Sequence, residues 1–303
     1  MNSKLWLFAP LILLGAVWGA TIPLTKIALE TGHSAPVMIF WFQVMTALVA
    51  FLLFLPRRRR VKITRKRFAL FLWIAGFGSL LPAVFSITAM HHLPAGVVAI
   101  TIALVPIFIM PIAILTGQEI PNVVRLSGIL LGASAIFLLI GPEAALPAGS
   151  SKYYVLIALV APLCYAIEDN FIAHFGLDGL TTHETLLGAS VCGIIALSVY
   201  FWMFGGFAPI WQGGLDRSDL AILAAGTLHA FAYGGYIWMI GRAGPVFAGL
   251  VAYLVTIFGV IWSLWLLGEI YTGYIWAALA CMLGALALVH PKGDNTAHAQ
   301  QTP

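Results

Sequence analysis

Apolar residues run along the chain in ten long stretches, at 5–29, 35–55, 68–91, 95–116, 123–141, 153–175, 181–204, 219–240, 246–267 and 272–290. A helix needs about 20 predominantly apolar residues to cross a hydrocarbon core, and each stretch is of that order. A membrane β-barrel would show short alternating segments instead. The pattern predicts an all-α integral membrane protein of ten transmembrane helices. The connections are short, so sequential helices run antiparallel. Residues 141–152, Gly-Pro-Glu-Ala-Ala-Leu-Pro-Ala-Gly-Ser-Ser-Lys, form the expected linker between two halves. The chain then divides into a first five-helix repeat at 1–146, a second at 147–292 and a disordered cytoplasmic tail at 293–303.

The halves resemble each other. At an offset of 150, Gly76 falls on Gly226, Val98-Ala99 on Ala248-Gly249 and Glu119 on Glu269. Gly117-Gln118-Glu119 and Leu267-Gly268-Glu269 each close a span. At an offset of 147, Trp18-Gly19-Ala20-Thr21 falls on Tyr165-Ala166-Ile167-Glu168. Five spans are an odd number, so the second half is inverted in the membrane. Inverted repeats recur in secondary transporters, with the site near the midplane between them. Chance similarity of apolar helices is the plainer alternative.

Composition fits this picture. The chain is 61% hydrophobic and 9% charged, where soluble domains carry about 25% charged residues. Of 15 Lys and Arg, eight lie between Arg57 and Arg67. The positive-inside rule accounts for such a cluster by topology alone and puts that loop in the cytoplasm. With ten spans, both termini lie there too. A net charge of +4 concentrated in one loop is no sign of a nucleic-acid partner. Cys164, Cys192 and Cys281 read as small buried hydrophobes rather than a disulfide framework. The apolar run that opens at Leu5 continues to Leu29, which marks an uncleaved first span rather than a signal peptide.

Several motifs together resemble a known family. Trp18-Gly19-Ala20-Thr21-Ile22-Pro23-Leu24-Thr25-Lys26 resembles the Trp-Gly…Lys first span of EamA-type members of the drug/metabolite transporter superfamily. Pro106-Ile107-Phe108…Gly117-Gln118-Glu119 is similar to their fourth span, and Phe258…Leu267-Gly268-Glu269 to the ninth. Gly128…Gly132 and Gly284 fit their small-residue fifth and tenth spans. The resemblance reaches from Leu5 to Val289. It implies ten helices in two inverted repeats and transport of small metabolites, often as efflux. It also implies a multi-pass protein of the cell membrane, the bacterial inner membrane. Two positions depart from the pattern. Many members carry an Arg in the second span, where this chain has Gln43, and Glu168-Asp169 is not a family pattern.

That acidic pair is the most unusual chemistry in the sequence. Pro162-Leu163-Cys164-Tyr165-Ala166-Ile167-Glu168-Asp169-Asn170 lies within an apolar run, where an ionisable residue costs roughly 2.5–3.5 kcal/mol or more and usually faces protein or a watery cavity. At 1.5 Å per residue, Glu168 lies roughly 7 Å to the cytoplasmic side of its span's middle. His229 falls near the midplane of the eighth span, with Tyr233 and Tyr236 on the same helix face at i+4 and i+7. Tyr253 in the ninth span lies at a similar depth, and Gln43 is central in the second. Trp18, Thr21 and Thr25 form a stripe on the first span whose repeat mates are Tyr165, Glu168 and Ile172. The candidate substrate-binding residues are therefore Trp18, Thr21, Gln43, Tyr165, Glu168, Asp169, His229, Tyr233, Tyr236 and Tyr253. The stripe favours Glu168 as cavity-lining, with Asp169 bonded to neighbours or nearer the cytoplasmic mouth. The bland alternative is that both carboxyls bind packing hydroxyls or reach for the interface. A carboxyl that can exchange its proton is the requirement for a proton relay.

Other polar residues have simpler readings. Lys26 either snorkels with a Glu30 contact or serves as an outer-vestibule cation. His91-His92 lack an apparent third ligand, and no metal or cofactor is expected. Pro23, Pro82, Pro106, Pro111 and Pro162 lie inside spans, where each removes a backbone donor and marks a point of bending. The chain has no Walker-type loop, and neither His-Glu-x-x-His nor Gly-x-Ser-x-Gly to suggest an enzyme. The expectation is a secondary transporter, most readily an exporter, of a small metabolite such as an amino acid or amine. It would work by alternating access and be coupled to protons. A channel or scaffold is the alternative. The expected partners are that small molecule, the lipid bilayer and protons; a monomer is compatible with this reading.

Overall fold

A computed structural model describes residues 5–29, 32–54, 61–117, 123–142, 145–146, 150–210, 214–243 and 250–289. Among them the chain forms ten helical rods and no strand. In order these are α1 (Phe8–Ala28), α2 (Ala35–Phe54), α3 (Arg65–Met90), α4 (Ala95–Leu115), α5 (Val123–Ile140), α6 (Lys152–Phe175), α7 (Thr182–Phe204), α8 (Arg217–Ala243), α9 (Val251–Leu267) and α10 (Gly273–Val289). The first four, α6 and α7 are each long and apolar enough to cross a membrane. Glu30, Arg57–Arg60, Gln118-Glu119, Ala248-Gly249, part of the linker and the tail lie outside the described residues.

Two helix starts are fixed by side-chain caps. α3 begins at Arg65, ahead of its apolar run, because the Thr64 hydroxyl accepts the Arg67 N–H at 3.3 Å. Such a cap satisfies one of the orphan donors of the first turn. Thr181 and Glu184 form a reciprocal capping box at the start of α7.

Helix neighbours come in matched sets. α1 packs on α9 as α6 packs on α4, α1 on α8 as α6 on α3, and α2 on α8 as α7 on α3. The pairs α2–α7, α5–α10 and α4–α9 map onto themselves. Exchanging α1–α5 for α6–α10 leaves the set unchanged, which is the two-fold relation of an inverted repeat.

Contacts between turns respect the alternation of helix ends. At the end carrying the basic loop, Arg67 Nε donates to Asp178 Oδ2 and Nη2 to Asp178 O, both at 2.9 Å. Lys66 pairs with the same carboxylate at 3.0 Å. Hydrogen bonds from Lys66 and Arg67 hold the Asp178 carboxyl below the usual range. At the other end, Glu269 accepts from the Ala95 and Gly96 N–H groups that open α4, at 2.5 and 3.1 Å. A carboxylate suits the positive end of a helix dipole. His33, in the α1–α2 turn, meets Asp219 in the first turn of α8 at 2.9 Å. Lys26 donates to the carbonyls of Met90 and Leu93 just past α3, the latter at 3.0 Å. Its ammonium is thus committed to orphan carbonyls at a helix end rather than to an outer vestibule.

Close helix approach depends on small residues. A Cβ at Gly19 of α1 would come within 2.8 Å of Gly259 N and 2.9 Å of Val255 O, both backbone atoms of α9. A side chain there forces the two helices apart. Gly19→Ala is expected to cost about 1–3 kcal/mol, as overpacking does, and to lower the melting temperature of the detergent-purified protein. Gly76→Ala, where nothing lies within 4 Å, should melt like the parent. Equal melting of both variants would mean that α1 and α9 are not held at this separation.

Candidate functional site

The helices that could line a site are locally distorted. α4 breaks at Ala103-Leu104, just before Pro106, and α6 breaks at Leu159, before Pro162. Each proline withholds the donor that the carbonyl four residues back would accept, which loosens the turn. In α3, residues Gly76–Leu80 form a π-helical turn closed by Leu81 N–H to Gly76 O. Pro82 follows and cannot donate to Gly78 O, so the wider turn is the local solution.

These distortions flank a cavity of about 620 Å³, within the usual range for small-molecule sites. Its lining comes from α1–α4 and α6–α9, four helices from each half. α5 and α10 pack on each other and contribute none of it. On α6, Tyr165, Glu168 and Ile172 line the cavity at i, i+3 and i+7, and Asp169 joins them. Glu168 is only 8% exposed, whereas Asp169 is more open to the cavity. The Glu168 carboxylate lies against the π turn: a Cβ at Gly78 would fall 2.3 Å from its Oε1. Next to it, Ser79 Oγ donates to Gln43 Oε1 at 2.8 Å. Gln43 is buried, with its Nε2 lacking a partner among the described residues.

An aromatic wall faces the acidic pair. Trp18 of α1 makes T-shaped contacts with His229, Tyr233 and Tyr236 of α8, with ring centroids 5.7, 6.2 and 6.0 Å away. Phe42 lies 5.1 Å from His229. Among the described lining residues there are two carboxylates and no lysine or arginine. Neither carboxylate receives a hydrogen bond from a described residue. Asn170 plays a different part. Its Nδ2 donates to Ile109 O at 3.1 Å and Ala166 O at 2.8 Å, tying α6 to α4.

Of the ten residues expected at the site, the structure brings nine to this cavity: Trp18, Thr21, Gln43, Tyr165, Glu168, Asp169, His229, Tyr233 and Tyr236. Tyr253 is not among the residues that line it. The lining residues of α9 are Val251, Ala252, Val255 and Thr256, which cover an arc of roughly 140° at 100° per residue. Tyr253 lies roughly 60° beyond its edge. Depth along the helix was legible there, and rotation about it was not. Sequence reasoning also missed Phe42, Ser79 and Ser190. A signal existed for two of them. At the offset of 147, Gln43 falls on Ser190, and at 150, Ser79 falls on His229.

The lining repeats in position but not in chemistry. Trp18 and Tyr165, Thr21 and Glu168, Ile22 and Asp169, and Thr25 and Ile172 are matched pairs that all line the cavity. So do Ala83 and Tyr233, and Ser86 and Tyr236. Every ionisable partner in these pairs belongs to the second half. The repeat builds the cavity, and α6 and α8 supply its acid–base groups.

Gly78 tests this geometry. The atoms that a Cβ would meet are the far end of a flexible Glu168 side chain. Gly78→Ala should therefore fold with a melting temperature near the parent's but move the carboxylate away from the π turn, as a structure of the variant would show. An unmoved carboxylate in that structure would contradict the close packing of Glu168 on Gly78.

The family model described as the EamA-like transporter family matches residues 6–141 and again residues 152–290. No curated protein matches the chain. One solved protein crystal structure is 16% identical, covers 92% of this chain and 94% of its own, and superposes with a TM-score of 0.60. That similarity concerns the fold alone.

Proposed function

The chain belongs to the EamA-like transporter family, matched over both halves, and from that premise we propose that this membrane transporter of small solutes carries an amine-bearing metabolite or amino acid outward, in exchange for protons at Glu168. Residues 1–146 and 147–292 act as the two repeats that rock about the cavity. The bacterial inner membrane, with both termini cytoplasmic, is the setting in which the Arg57–Arg67 loop faces inward.

The observation that carries the reading is the acidic pair in the cavity wall, with no lysine or arginine among the described lining residues. An isolated carboxylate away from water is costly unless paired. A cationic group or a proton can neutralise Glu168, and two positive charges together would repel in the same confined space. Binding of one therefore displaces the other. Close to Glu168 are Asp169 and Tyr165 on its own helix, Tyr233 on α8 and the π turn at Gly78, and Tyr236 and His229 line the same cavity. If the protein opens to one side at a time, that exclusion couples export of the amine to entry of a proton. The bent α4 and α6 and the π turn of α3 are the deformable parts of the wall.

Glu168→Gln keeps the size of the side chain but fixes it neutral. In proteoliposomes it should abolish uphill transport driven by a pH gradient while leaving substrate exchange measurable. Asp169→Asn should have a smaller effect. Uphill transport by Glu168→Gln at the parental rate would make Glu168 structural and end the proposed coupling.

A further inference from the structure

The inventory of charge around the cavity narrows what it can hold. An amino acid brings a carboxylate as well as an ammonium, and each needs a counter-charge once water is removed. The lining supplies two carboxylates for the ammonium and, among the described residues, no lysine or arginine for the carboxylate. Nearby cations are already engaged. Lys26 donates to the carbonyls past α3, and Lys66 and Arg67 are held by Asp178 at the end of the bundle.

His229 is the one described imidazole in the lining, and its setting disfavours an anion. It lies among the Trp18 ring at 5.7 Å, the Phe42 ring at 5.1 Å and a near-parallel Tyr233 ring at 6.4 Å. Aromatic faces carry the negative side of the ring quadrupole. They attract an ammonium and repel a carboxylate. The same rings offer apolar area to a hydrocarbon or aryl body. An acidic pair, an aromatic wall and no lysine or arginine among the described lining residues thus point in one direction.

We infer that the cavity selects a carboxylate-free organic amine over the corresponding amino acid, with the ammonium at Glu168 and Asp169 and the apolar body against Trp18, Phe42 and Tyr233. The inference rests on the cavity being the transport site, but its test does not depend on transport.

The test is binding of a matched set to the purified full-length protein in detergent, by calorimetry at neutral pH. The probes are 2-phenylethylamine, phenylalanine and phenylacetate, which share a benzyl group and carry an ammonium, both charged groups and a carboxylate, respectively. The amine should bind at least tenfold more tightly than phenylalanine, and phenylacetate should not compete with it. Glu168→Gln, checked for parental melting and monodispersity, should weaken the amine at least tenfold. Asp169→Asn provides a second reading should the first variant not fold. Phenylalanine binding as tightly as the amine, or a folded parent that binds none of the three, would overturn the inference. An amine that binds with this selectivity but is not moved in proteoliposomes would leave the selectivity standing and overturn the transport reading instead.

Discussion

A carboxylate taken out of water must find a partner, and in this bundle the acidic pair on α6 faces no lysine or arginine in the described cavity wall. Helix–helix contacts in a bilayer rest on close packing and on satisfied polar groups, because lipid is as apolar as the side chains it replaces. Most polar residues here follow that logic. Asn170 ties α6 to α4, Glu269 caps α4, and Lys26 fills carbonyls past α3. Glu168 and Asp169 do not. They lie in a cavity wall shared with aromatic rings, Glu168 against a π turn, where among the described residues no lysine or arginine meets their charge.

The inverted repeat explains why a cavity exists there at all. Two copies of one five-helix pattern, packed in matched pairs, leave a space between α1–α4 and α6–α9 while α5 and α10 close on each other. Symmetry of the backbone would give the two halves interchangeable roles in the proposed rocking. The side chains break that symmetry. Thr21, Ile22, Ala83 and Ser86 stand where the second half has Glu168, Asp169, Tyr233 and Tyr236. The ionisable residues of these pairs therefore belong to one half, while the other supplies Trp18, Phe42 and Gln43.

Much of this was legible in the sequence, for physical reasons that differ by feature. Span number follows from hydropathy and length, since a bilayer tolerates little else. Cavity residues were legible wherever the helical period and the repeat agreed, as for Trp18, Thr21, Tyr165 and Glu168. Tyr253 shows the limit: depth follows from counting, but which way a uniformly apolar helix turns is decided by its neighbours. The π turn at Gly76–Leu80 was written only as two glycines and a nearby proline, a pattern equally suited to close packing. Lys26 went to carbonyls on another helix, a destination that i, i+4 spacing to Glu30 does not reveal. Ser79 and Ser190 carry no signal alone and become visible only when the halves are superposed.

Mutual exclusion of a proton and an amine at Glu168 is the centre of this account, and proton release on binding measures it without any membrane. Purified protein in weakly buffered detergent solution at neutral pH is mixed with 2-phenylethylamine, itself already protonated, and the pH change is followed with an indicator. The account predicts that the parent releases protons in proportion to amine bound and that Glu168→Gln releases none. Amine binding to the parent with no proton released would contradict it.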